Sequence, residues 1–172
     1  FSRLIVGGRS RDREEMVETS SPWKFRNHMG ASEIKERVAP EFWDKAVKIT
    51  TMRHPYEKAV SLAFFTFKPR RTDAPWEEHL DQIVRRGGYA SDKHYAIDGK
   101  VIIDEFIKQE RLLEDFKRIG ARLGIRIPDE LPRSKIKTRQ DSRSAREILT
   151  DEHKMIIYTV CREEFDLLGY ER

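Results

Sequence analysis

A chain of 172 residues is long enough to bury one core and short for two, which predicts a single domain over residues 1–172. Its hydrophobic class (38%) is clustered at helical and strand spacing among 37% charged residues, a pattern that excludes the disordered class. The balance of 34 Lys and Arg against 30 Asp and Glu, net +4, favours anionic ligands without selecting one, and the single cysteine, Cys161, excludes an internal disulfide framework.

In chain order, Phe1, Leu4, Ile5 and Val6 form an apolar scrap stopped by Gly7 and Gly8. It reads as the tail of a helix that begins upstream, so the domain is expected to be N-terminally incomplete. Residues 9 to 27 are polar and breaker-rich and read as a loop. Ala31 to Val38 predicts a short helix with Ile34 and Val38 on one face, ended by Pro40. The β-prone run Ala46 to Met52 predicts an inner parallel strand leading into Arg53. Pro55 suits a helix's first turn, and Tyr56, Val60, Ala63, Phe64 and Phe67 recur behind it as a buried stripe.

After a Pro- and Arg-rich bend (Lys68 to Arg71), Trp76 to Val84 predicts a helix stopped by Gly87 and Gly88. Val101 to Ile107 suits a second strand, although its pattern also fits a helix. Leu112, Phe116, Ile119 and Leu123 mark an amphipathic helix ending at Gly124. Between Arg133 and Arg146, six cations face one acid, Asp141, and form the chain's basic pole. Thr150 is a good N-cap for a last helix running through Ile156, Val160 and Cys161 toward Gly169, with Cys161 in its core. Strands alternating with helices predict an α/β layer fold. No apolar run approaches the roughly 20 residues of a membrane helix, and no signal-peptide pattern is present. The expectation is a soluble, cytoplasmic protein.

The chemistry concentrates in Arg53, His54, Pro55, Tyr56, Glu57, Lys58, Ala59, Val60 and Ser61. An arginine at a strand end presents a planar fork of donors to a phosphate, and the helix that follows adds unpaired N–H groups and the positive end of its dipole. Ser61, two turns along, adds a hydroxyl. Such a junction is where open α/β sheets bind ligands. By physics alone it does not say which phosphate.

The run RHPYEKAVS resembles the 3′-phosphate-binding motif of sulfotransferases that use 3′-phosphoadenosine 5′-phosphosulfate (PAPS). NHMGASEIKERV, FIKQERLLEDFKRIG and ILTDEHKMIIYTVCREEFDLLGY are similar to further segments of the carbohydrate and membrane-associated type and its bacterial relatives. The resemblance covers roughly residues 27 to 170. It implies a P-loop-like three-layer fold with a central parallel sheet flanked by helices. It also implies PAPS as co-substrate, no metal, and a hydroxyl acceptor of the glycan kind.

Residue by residue, the resemblance implies that Arg53 and Ser61 clasp the 3′-phosphate and that His28, in NHMGAS, is the general base. A neutral imidazole needs little tuning for that task, and the plainer alternative is a histidine packing or capping at the start of the Ala31 helix. Lys135, Lys137 and Arg139 fall in the loop that closes over the donor. Glu110 falls at a family glutamate and is read as structural, while Gln109 replaces the usual arginine beside it. The 5′-phosphosulfate loop is not evident. Gly7 to Ser10 lacks its lysine and threonine, which places the loop upstream of residue 1.

Two other classes compete. A kinase-like phosphotransferase would carry GxxxxGK[ST] and a magnesium carboxylate, and neither is found. A non-enzymatic polyanion binder could use the basic pole, but no aromatics are interleaved with it for stacking, so nucleic acid is not expected as a partner.

Overall fold

The computed structural model describes residues 25, 28–67, 74–131 and 141–172. Their elements, in order, are α1 (Ala31–Arg37), α2 (Pro40–Lys45), β1 (Ile49–Met52), α3 (Pro55–Thr66), α4 (Trp76–Arg86), α5 (Asp92–Tyr95), β2 (Ala96–Ile97), β3 (Lys100–Val101) and β4 (Glu105–Lys108). A 3-10 turn at Gln109–Arg111 then leads into α6 (Leu112–Leu123), α7 (Ala145–Ile148), α8 (Asp151–Val160) and α9 (Arg162–Leu168). The protein thus mixes helix and strand. Two compact units divide it, residues 1–51 with 91–107 and residues 52–90 with 108–172.

In the first unit β1 pairs in parallel with β4. The pair begins where Lys48 O accepts from Asp104 N and Glu105 N (2.9 and 3.2 Å) and Lys48 N donates to the Asp104 carboxylate at 2.7 Å. β2 and β3 form an antiparallel hairpin, Ala96 opposite Val101 and Ile97 opposite Lys100. Its two-residue turn is Asp98-Gly99, both with positive φ (50° and 72°), the geometry that a primed hairpin turn requires. The strand expected over Ala46 to Met52 is shorter, because Val47 is exposed and the chain turns only at Ile49 into the ladder. Among the described residues the sheet has two strands, so β1 is not flanked on both sides. Helix α1 ends at Arg37, ahead of Pro40 as expected, and Pro40 also occupies the first turn of α2, where its missing N–H costs nothing.

The core of the second unit gathers Tyr56, Val60 and Ala63 of α3, Leu80 and Val84 of α4, and Ile157, Cys161 and Phe165 near the carboxyl end. The predicted stripe of α3 is therefore buried, while Phe64 and Phe67 sit at its margin against Trp76, with ring centroids 4.2 and 5.5 Å away. Thr150 caps α8 as expected, its hydroxyl accepting from His153 N at 3.2 Å. The single last helix is in fact two. At Cys161 the backbone leaves helical geometry (φ −110°, ψ 22°), and the residue closes α8 and opens α9. Cys161 itself is buried, whereas Val160 beside it is exposed.

Helix α6 ends in a Schellman turn: Gly124 is left-handed at φ 67°, and Ile125 N reaches back to Gly120 O at 2.8 Å. The returning chain lies so close that a Cβ on Gly120 would meet Ile127 Cγ1 at 2.5 Å and Ile125 O at 2.7 Å. A backbone oxygen has little room to retreat. Gly120→Ala is therefore expected to cost about 1–3 kcal/mol despite the better helix propensity of alanine. A thermal melt should show the midpoint falling by several degrees, and a raised midpoint would contradict the close approach.

Candidate anion site at the start of helix α3

The chain leaves β1 at Met52, passes Arg53, and enters α3 with His54 as N-cap and Pro55 in the first turn. His54 caps through its ring: Nδ1 accepts from Tyr56 N at 3.2 Å. Its other nitrogen, Nε2, lies 3.0 Å from Glu171 O, so the two partners together select the tautomer with the proton on Nε2, donated to that carbonyl. Burial lowers the ring's pKa below the ordinary histidine value, outweighing the carbonyl, which raises it. His54 is therefore a neutral cap near pH 7. The rings of Tyr56 and Tyr170, each with its centroid 4.9 Å away, and Phe165 at 5.4 Å fix its orientation.

Arg53 holds its fork against helix α3 itself. Nη2 lies 3.1 Å from Glu57 Oε2, and the other oxygen, Oε1, accepts from Ala145 N at 3.0 Å at the start of α7. Glu57 and Ser61, four residues apart, share a face of α3, and Arg53 reaches that face from just ahead of the N-cap. Ser61 is half-buried. Lys58, on the next face, pairs with Glu164 of α9.

Glu110, read as structural from the sequence, accepts from His54 N at 2.7 Å through Oε1 and from the Tyr170 hydroxyl at 3.3 Å through Oε2. It thus satisfies a backbone donor just ahead of α3 and ties it to the segment after α9. Burial, then the Glu110 carboxylate, raises the Tyr170 phenol well above its ordinary pKa. Beside this pair opens a shallow cleft of about 480 Å³, lined by His54, Lys108, Glu110, Arg111, Arg146 and Tyr170 among others. Its cations are partly engaged: Lys108 donates to Leu168 O and lies 4.9 Å from the Tyr170 ring centroid, and Arg146 donates to Arg172 O (2.6 Å) and Glu171 O (3.0 Å). Arg53 and Ser61 do not line it. The sequence reading missed the cleft, whose residues come from four separated segments with no shared motif.

The other expected residues are placed as follows. His28 belongs to the first unit, is exposed, and has a left-handed backbone (φ 63°). The N-cap of α1 is Gly30, so His28 neither caps that helix nor packs in its core. His94, whose Nδ1 lies 3.1 Å from Met29 O, is half-buried in the same unit, and that burial lowers its pKa. Lys135, Lys137 and Arg139 lie outside the described residues. Of the basic pole that is described, Arg143 folds back on Asp141 with contacts of 2.6–3.1 Å.

Among the described residues no group of three or more His, Cys, Asp or Glu is placed to hold a metal ion, and no helix is long and apolar enough to cross a membrane. No family model, curated protein or solved structure matches the chain.

Proposed function

We propose that the protein is a PAPS-dependent sulfotransferase acting on a hydroxyl acceptor, of which a glycan is the leading candidate, with a P-loop-like three-layer core. The observation that carries the reading is the junction of β1 and α3: an arginine at a strand end, a proline in the first helical turn and a serine two turns on, all inside RHPYEKAVS. An arginine fork and a serine hydroxyl are both donors that phosphate oxygens accept from.

In the proposed reaction the acceptor oxygen attacks sulfur in line. The S–O bond to the bridging oxygen of the 5′-phosphate breaks, and His28 takes the acceptor's proton. The product nucleotide, 3′-phosphoadenosine 5′-phosphate (PAP), leaves with the negative charge of the broken bond. Arg53 and Ser61 hold the 3′-phosphate throughout, and Lys135, Lys137 and Arg139 neutralise charge on the donor. Positioning and electrostatics supply most of the acceleration, as in phosphoryl transfer.

Titration calorimetry tests the donor assignment. The protein is expected to bind PAP more tightly than adenosine 5′-phosphate. Arg53→Ala should remove about 1.5–3 kcal/mol, one to two orders of magnitude in affinity for PAP. Its affinity for adenosine 5′-phosphate should stay near the wild-type value. Equal binding of the two nucleotides by the wild-type protein would sink the assignment.

A further inference from the structure

We infer that Glu57 is a built-in competitor of the nucleotide's 3′-phosphate: its carboxylate holds the Arg53 guanidinium, yields it to the phosphate, and takes it back as the nucleotide leaves. This rests on the donor assignment above.

Three observations carry it. Glu57 meets Arg53 through a single oxygen at 3.1 Å, with both side chains more than a quarter exposed (26% and 29%), so the contact is a weak one that a bidentate dianion outcompetes. The other oxygen stays fixed on Ala145 N at 3.0 Å, which keeps the carboxylate beside Arg53 at high effective concentration after it is displaced. Finally, Glu57 lies on α3 four residues ahead of Ser61 and at 3.1 Å from Arg53, so a phosphate drawn to Arg53 and Ser61 meets the Glu57 carboxylate, where like charges repel.

The consequence is kinetic as well as thermodynamic. Binding has to displace the Arg53–Glu57 pair, which lowers the net affinity, and the displaced carboxylate favours departure of the spent nucleotide. Tight retention of PAP would otherwise hold the site after each transfer.

The test is Glu57→Gln, which removes the charge but keeps an amide oxygen to accept from Ala145 N. PAP affinity is expected to rise roughly threefold to fivefold, most of it as slower dissociation in a stopped-flow chase. Glu163→Gln, on the exposed side of α9, makes the same charge change away from Arg53 and should alter affinity less than about twofold. If Glu57→Gln binds PAP no better than wild type, or no better than Glu163→Gln, the inference is overturned while the donor assignment stands. If wild-type protein fails to prefer PAP over adenosine 5′-phosphate, the assignment itself falls and the competitor role falls with it.

Discussion

Glu164→Ala is expected to lower stability by about 3–5 kcal/mol, because it strips the carboxylate partner from a largely buried ammonium. The Glu164 side chain is 2% exposed and that of Lys58 is 14%, so neither charge can turn to water without moving its helix. The two pair between α9 and α3. Removing one partner leaves the other charge buried at a cost that the Coulomb gain no longer offsets. Removing both is different. Lys58→Met with Glu164→Leu keeps the volume and abolishes both desolvation penalties, so the double variant should lie near wild type or above it. Thermal unfolding should show the single variant melting roughly 10 °C lower, given about 2–4 °C per kcal/mol in a chain of this size. A double variant as unstable as the single one would show that shape, rather than charge, was lost at this contact.

That pair also illustrates what could be read from the sequence. Lys58 lies inside RHPYEKAVS, and helical spacing places it on α3, but its partner is 106 residues away. Local patterns do not encode such a separation. Where the physics is local, the reading succeeded: the apolar stripe set α3, Thr150 capped α8, and Gly87 and Gly124 stopped their helices in left-handed turns. Pro40 was legible in part: α1 stops ahead of it as expected, while its second use, opening α2, was not foreseen. Asp98-Gly99 was a hairpin signal flanked by strands too short to show alternation. Of the candidate site, the placement of Arg53 after the strand and of Ser61 on α3 followed from local pattern. Glu57's grip on Ala145 and Glu110's on His54 did not, because both span long separations (88 and 56 residues).

The second large expected effect concerns His28 in its proposed role of general base. His28→Asn should lower turnover by roughly 10²–10⁴-fold while leaving PAP affinity within about twofold, because the lost contact is made with the attacking hydroxyl only in the transition state. Asparagine is the variant of choice for a backbone reason. His28 sits at φ 63°, a conformation that costs most side chains and that asparagine tolerates well, so the turn ahead of α1 survives the change. An alanine would add backbone strain and blur the comparison. The exposure of His28 and the capping of α1 at Gly30 sharpen the contrast further, since a histidine without a packing or capping role should leave the melting temperature nearly unchanged when replaced. Turnover is measured as PAP released from PAPS in the presence of a hydroxyl acceptor, and affinity by calorimetry on the same folded preparation. Turnover, affinity and stability falling together would mark His28 as structural. Near-normal turnover would remove it from the mechanism and move the search for the base to a carboxylate.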